Sequence, residues 1–192
     1  MTEFLFLRHG RTAGNLTGNY VGGRTDQPLC PAGEEALRAQ SRDQRELLKA
    51  DRLYVSPMLR CVQTAAILFP TLVPTPVEGF RECDFGAFEN RNFQELGGDP
   101  RYQAWVDGNC AGPIPDGELP DAFIARCRAA FAPLLAQGGG GRTALVVHGG
   151  TIMAIVSGFA RPEKPYFHYQ VKNGGGYLCR AENGFLTILC SF

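Results

Sequence analysis

Hydrophobic residues along this chain fall in short unbroken runs, separated by stretches of helical period. Phe4-Leu5-Phe6-Leu7 is apolar throughout and stops at Arg8-His9-Gly10. Leu145-Val146-Val147 repeats the arrangement and stops at His148-Gly149-Gly150. Runs of this length without alternation predict strands covered on both faces, as in a parallel sheet between helices. Asp51 to Val55 predicts a third strand. Pro57 to Leu68 predicts a helix behind it, with Pro57 in the first turn and Ser56 as N-cap.

Glu118 to Leu135 has the clearest helical period, with Leu119, Ala122, Phe123, Cys127, Ala130, Phe131 and Leu134 on one face. Pro133 weakens its last turn, because proline removes a helix bond. Pro31 to Lys49 predicts a polar surface helix, and Gly138 to Gly141 a stop before the next strand. Tyr177 to Arg180 and Phe185 to Cys190 flank Asn183-Gly184, which predicts a hairpin closed by a type I′ turn. The Pro/Gly-rich stretch Gly97 to Gly117 predicts a loop or lid insert. Strands alternating with helices give the expected fold class: a single α/β domain over residues 1–192, a three-layer α/β/α sandwich with a mostly parallel central sheet.

Composition narrows the function. Nineteen basic residues balance nineteen acidic ones, so no global field favours nucleic acid or a membrane surface. An anion site must be built from a few placed cations. The seven cysteines are scattered without a C-x-x-C pair, which excludes a zinc ribbon or thioredoxin-like motif. Cys127 and Cys190 sit in apolar patterns as small core fillers. No signal-peptide pattern and no apolar run of ~20 residues is present, so the expectation is a soluble cytoplasmic protein. The sequence carries no signal for oligomeric state.

His9 and His148 each follow an apolar strand and precede a glycine. Parallel neighbouring strands would bring both imidazoles to one sheet edge, where ligands of open α/β sheets bind. The glycine after each histidine would let backbone approach a ligand closely. A helix over Thr151 to Ser157 would aim its first amides, beginning near Gly149, at an oxyanion. A catalytic zinc needs about three protein ligands. Here Arg8 adjoins His9, and Arg60 and Arg11 are further candidates. Guanidinium forks repel a metal and match phosphate oxygens, so a phosphoryl group is favoured and no metal or organic cofactor is expected. His168, in an aromatic run, is expected to pack rather than react, and Asn173 to Gly176 to form a turn that could border the pocket.

These residues lie in motifs that resemble the histidine phosphatase superfamily, which includes phosphoglycerate mutases and α-ribazole phosphatases. Leu7 to Gly10 resembles its R-H-G signature, and Tyr20 to Gly33 its G-x-x-D-x-x-L-x-x-x-G stretch. Val55 to Ala65 resembles S-P-x-x-R-x-x-Q-T-A, Arg81 to Glu89 resembles E-x-x-x-G-x-x-E, and Val147 to Gly149 the second histidine motif. The resemblance implies that His9 is the nucleophile of a phosphohistidine intermediate. It implies that Arg8, Arg60 and His148 grip the phosphate, that Asn15 also lines that site, and that Glu82 is the proton donor. Asp84 and Glu89 are close enough in sequence to be the acid instead. The chain departs from the pattern at Arg11, at Glu89-Asn90 and at Gly117-Glu118-Leu119, where the family often has Glu, E-G and G-E-S. Arg11 could meet a second anionic group of the substrate.

The expected activity is hydrolysis of a small-molecule phosphomonoester, with α-ribazole phosphatase the best named guess. The mutases it resembles are longer, with segments that close over the site, so easier access of water to His9 favours hydrolysis here. A phosphoglycerate mutase, and a phospho-ligand binder without turnover, are the alternatives.

Overall fold

Both apolar runs and the third predicted segment form strands. A computed structural model describes residues 1–192. In chain order its elements are β1 (Thr2–Arg8), α1 (Ala13–Leu16), α2 (Pro31–Asp43), β2 (Arg52–Val55), α3 (Leu59–Leu68), β3 (Thr75–Pro76), α4 (Phe93–Leu96), α5 (Pro100–Asp107), α6 (Pro120–Gln137), β4 (Gly141–Val147), α7 (Gly149–Phe159), β5 (Gly176–Glu182) and β6 (Phe185–Ser191).

The six strands make one sheet in the order β3-β2-β4-β1-β5-β6. β1, β4, β2 and β3 run parallel, and the β5–β6 hairpin adds two antiparallel strands at one edge. The sheet is therefore mostly parallel, within an α/β fold. Side-chain alternation divides the interior into two cores. Phe4 and Phe6 of β1 join Phe123, Phe131 and Ile155 on the face covered by α6 and α7. Leu5 and Leu7 join Leu37, Cys61 and Leu68 on the face covered by α2 and α3. Burial on both faces explains why β1 and β4 lack polar alternation. The hairpin turn has Asn183 and Gly184 both at positive φ (52° and 78°), as a type I′ turn requires. No helix is long and apolar enough to cross a membrane.

Several elements differ from the sequence expectation, each for a local reason. α3 begins at Leu59, not Pro57, with Met58 as N-cap. Ser56 continues the sheet ladder through its N–H to the Val146 carbonyl (3.0 Å), and the Leu59 amide is capped by Asp26 Oδ1 at 2.8 Å. α2 stops at Asp43, and Leu48 drops into the core beyond it. α6 runs through Pro133 to Gln137. Leu119 is its N-cap and 60% exposed, and Ala122 is also exposed, so neither belongs to the buried face. Cys190 lies on edge strand β6 and is exposed, not a core filler. The Gly97 to Gly117 stretch contains α5, started by Asp99 accepting from the Arg101 amide with Pro100 next in line. Tyr102 and Trp105 of α5 are buried against Phe88 and Tyr20. His168 is exposed, with one edge-on contact to Tyr169.

Candidate active site

The register of β1 against β4 sets the site. Arg8 pairs with Val147, so the next residue on each strand, His9 and His148, leaves the sheet at the same level. The His9 amide donates to the Val147 carbonyl at 2.9 Å. The two imidazole rings lie 5.1 Å apart, inclined at 65°. Two histidines 139 positions apart in sequence thus meet because their strands are hydrogen-bonded neighbours.

Hydrogen bonds assign the tautomers. His9 Nδ1 lies 2.7 Å from the Gly10 carbonyl, which can only accept. Nδ1 therefore carries the proton and Nε2 the free lone pair. His148 accepts at Nδ1 from Arg60 Nε (3.3 Å), so its Nε2–H donates to Ser56 Oγ at 2.7 Å. Burial, then the Arg60 charge, holds both imidazoles well below the usual histidine range. Both rings are neutral at physiological pH.

A pocket of about 500 Å³ opens at this edge of the sheet. Arg8, His9, Asn15, Glu82 and Gly149 line it. Arg60 and His148 have no exposed surface and are not part of its lining. Arg60 instead donates to the carbonyls of Val21, Gly22 and Thr25 and to His148. It is a buried cation behind the histidines that also clips the Val21 to Thr25 loop. Arg8 Nη1 donates to the Val171 carbonyl at 2.8 Å. Its guanidinium passes over Gly149, within van der Waals reach of where a Cβ would stand. Gly10 serves packing instead of ligand approach, since a Cβ there would collide with Leu37 and crowd Leu29.

Of the three neighbouring carboxylates, only Glu82 lines the pocket. It is 8% exposed and accepts from the amides of Cys83 (2.9 Å) and Gly150 (3.1 Å). Burial raises its pKa, and those two amides and the Arg60 and Arg8 charges oppose the rise. Asp84 is engaged with Arg24 and the Gly86 amide, and Glu89 with the amides of Gly22, Arg24 and Phe85. Asn15 Oδ1 accepts from the Thr12 amide and from Asn173 Nδ2, which leaves its Nδ2 hydrogens for a ligand. Arg11 is exposed and does not line the pocket.

Sequence reasoning missed several supports. Ser56, taken for a helix cap, holds His148. Thr64 Oγ1 accepts from the Gly10 amide at 3.0 Å, and Asn173 Nδ2 donates to the His9 carbonyl at 3.1 Å. Arg126, paired with Glu118, donates to the carbonyls of Arg81 and Glu82 and so fixes the loop that carries the carboxylate. Ser56, Thr64 and Asn173 stood in motif or turn stretches that the sequence had singled out, and Arg126 in the helix read over Glu118 to Leu135, but none was given this role.

A family model described as "Histidine phosphatase superfamily (branch 1)" matches residues 4–190. The chain belongs to the histidine phosphatase superfamily. Among members of this superfamily, the "Probable phosphoglycerate mutase GpmB" of Enterobacter sp. (strain 638) is 31% identical over 165 residues, spanning 82% of this chain and 74% of that protein. A phosphoserine phosphatase of Entamoeba histolytica, solved with 3-phosphoglyceric acid, superposes with a TM-score of 0.84 at 26% identity, covering 100% of this chain and 96% of that one. The α-ribazole phosphatase of Shigella flexneri has a TM-score of 0.82 at 24% identity, covering 97% and 94%, which speaks to the fold alone. The superfamily thus rests on the family model, and the proteins the chain resembles carry the names of phosphatases and of a probable mutase.

Proposed function

We propose that the chain is a phosphomonoester hydrolase that carries the phosphoryl group on His9 and needs no metal or organic cofactor. The observation that carries this is the pair of facing imidazoles, 5.1 Å apart, beside Arg8, Arg60 and the buried Glu82. His9 Nε2 supplies a neutral nucleophile already turned away from the Gly10 carbonyl. It attacks phosphorus as the P–O bond to the alcohol breaks, and protonated Glu82 gives its proton to the departing oxygen. Glu82, now ionised, takes a proton from water, whose oxygen attacks the phosphohistidine and releases inorganic phosphate.

Charge on the transferring group is met by Arg8 and, from behind, by Arg60. His148, neutral and held between Arg60 and Ser56, keeps the Arg60 guanidinium in place behind His9. An arriving phosphate dianion pushes the Glu82 pKa further up, keeping its proton available. The alternatives are transfer of the phosphoryl group to a second hydroxyl, which the name of the GpmB relative supports, and binding without turnover. A binder has no need of a nucleophile and an acid side by side.

Incubation with p-nitrophenyl phosphate at mildly acidic pH with EDTA separates the three. Nitrophenol release that vanishes in His9→Ala supports the hydrolase. Interconversion of 2- and 3-phosphoglycerate faster than phosphate release indicates a mutase. Tight phosphate binding with no turnover of any ester indicates a binder.

A further inference from the structure

Beyond its phosphate end, the pocket has walls with a chemistry of their own. Phe85, Trp105 and Ile114 line it, and so do Phe123, Ile124 and Met153. Phe167 lines it too while remaining 51% exposed, an aromatic face left in water at the site. Arg8 is the only Lys or Arg in the lining, and it stands beside His9 and Glu82 at the phosphate end. Apart from Glu82, the one charged group facing the rest of the space is Asp121. Asn19, Gln170 and two tyrosines also line it, but none is a cation, so a substrate carboxylate would meet mainly apolar walls and a like charge, with no second cation to replace its water.

We infer that the site selects phosphomonoesters of apolar, preferably flat, alcohols and discriminates against esters that carry a carboxylate, such as phosphoserine or phosphoglycerate. This rests on the hydrolase proposed above and names the alcohol half that it accepts. Discrimination arises because removing a carboxylate from water without a partner is costly, whereas an aromatic ring gains by leaving water.

The test uses esters of primary alcohols with similar leaving-group strength. For ethyl, 2-phenylethyl and glyceryl phosphate and 3-phosphoglycerate, kcat/KM is measured together with the binding of 2-phenylethylphosphonate and 2-carboxyethylphosphonate by calorimetry. The expectation is a kcat/KM roughly tenfold or more higher for 2-phenylethyl than for ethyl phosphate, with 3-phosphoglycerate lowest. The phenyl phosphonate should bind tighter than the carboxylated one by a similar factor. Ile124→Lys, which places a cation in the apolar wall, should erase or reverse the ratio between the two phosphonates in binding and between 2-phenylethyl phosphate and 3-phosphoglycerate in kcat/KM. Equal rates across the series, or a preference for 3-phosphoglycerate, would overturn the inference. If no ester turns over, the hydrolase proposal fails, and the two phosphonates still decide the pocket's preference: tighter phenyl binding upholds it, equal or reversed binding overturns it.

Discussion

The hydroxyl of Ser56 accepts from His148 Nε2 at 2.7 Å, tying the end of β2 to the end of β4. The bond exists because β2 and β4 are parallel neighbours, with Val55 paired to Val146. It orients a ring whose other nitrogen faces Arg60. Ser56→Ala removes that restraint and leaves a buried N–H without a partner. The expected loss is about 1–2 kcal/mol, roughly tenfold in kcat, with a smaller change in KM and a shifted pH profile. Steady-state kinetics between about pH 5 and about pH 8 checks it, because a purely structural role would move stability and leave the profile unchanged.

Glu82 is the carboxylate that stands beside Arg8 and His9 in the pocket lining. Glu82→Gln should slow esters with poor leaving groups roughly a hundredfold more than p-nitrophenyl phosphate, whose leaving group departs without a proton. Parallel kcat measurements on alkyl and nitrophenyl phosphates test this. Equal slowing would assign the acid elsewhere.

The buried histidines make stability depend on pH. His9 and His148 have folded pKa values below those of the unfolded chain, so the unfolded state binds more protons as pH falls below about 6.5. Their neutral forms favour the fold above that pH, and this support is lost as pH falls through the folded values. Glu82, with its pKa raised by burial, works in the opposite direction. Replacing one histidine isolates its share. His9→Gln should reduce the fall in unfolding free energy between about pH 7 and about pH 5, by up to about 1.4 kcal/mol per pH unit. Urea denaturation at several pH values is the measurement.

Arg60 is fully buried and donates to three loop carbonyls as well as to His148. Arg60→Ala should cost about 3 kcal/mol or more of stability, since those acceptors lose their donor in a dry site. Inorganic phosphate should raise the Tm of the native protein, and Arg60→Ala should abolish that rise. Thermal unfolding with and without phosphate reads both effects.

How much was legible in the sequence follows from how local each signal is. β1 and β4 declared themselves because continuous apolar runs admit few alternatives, and Asn183-Gly184 because both residues tolerate positive φ. α5 was hidden by the surrounding glycines and prolines, although Asp99-Pro100 is an N-terminal helix signal. The start of α3 was not readable, since its cap, Asp26, lies 33 residues upstream and reaches the helix only in the fold. At the site, the motifs named the groups that meet, His9, His148, Arg8, Arg60 and Glu82. They did not say that Arg60 and His148 stand behind the pocket, or that Arg126 anchors the Glu82 loop. Those facts depend on contacts between distant segments, which spacing alone does not encode.

The central claim is that phosphorus bonds covalently to His9 during turnover. Rapid quenching of the Glu82→Gln variant with p-nitrophenyl phosphate, followed by alkaline digestion and mass spectrometry, tests it directly. The expected result is an acid-labile phosphoryl group on the peptide containing His9, formed together with a burst of nitrophenol and absent when His9 is also changed to Ala. Sustained nitrophenol release with no phosphorylated peptide, or with the phosphoryl group on another residue, would contradict the account.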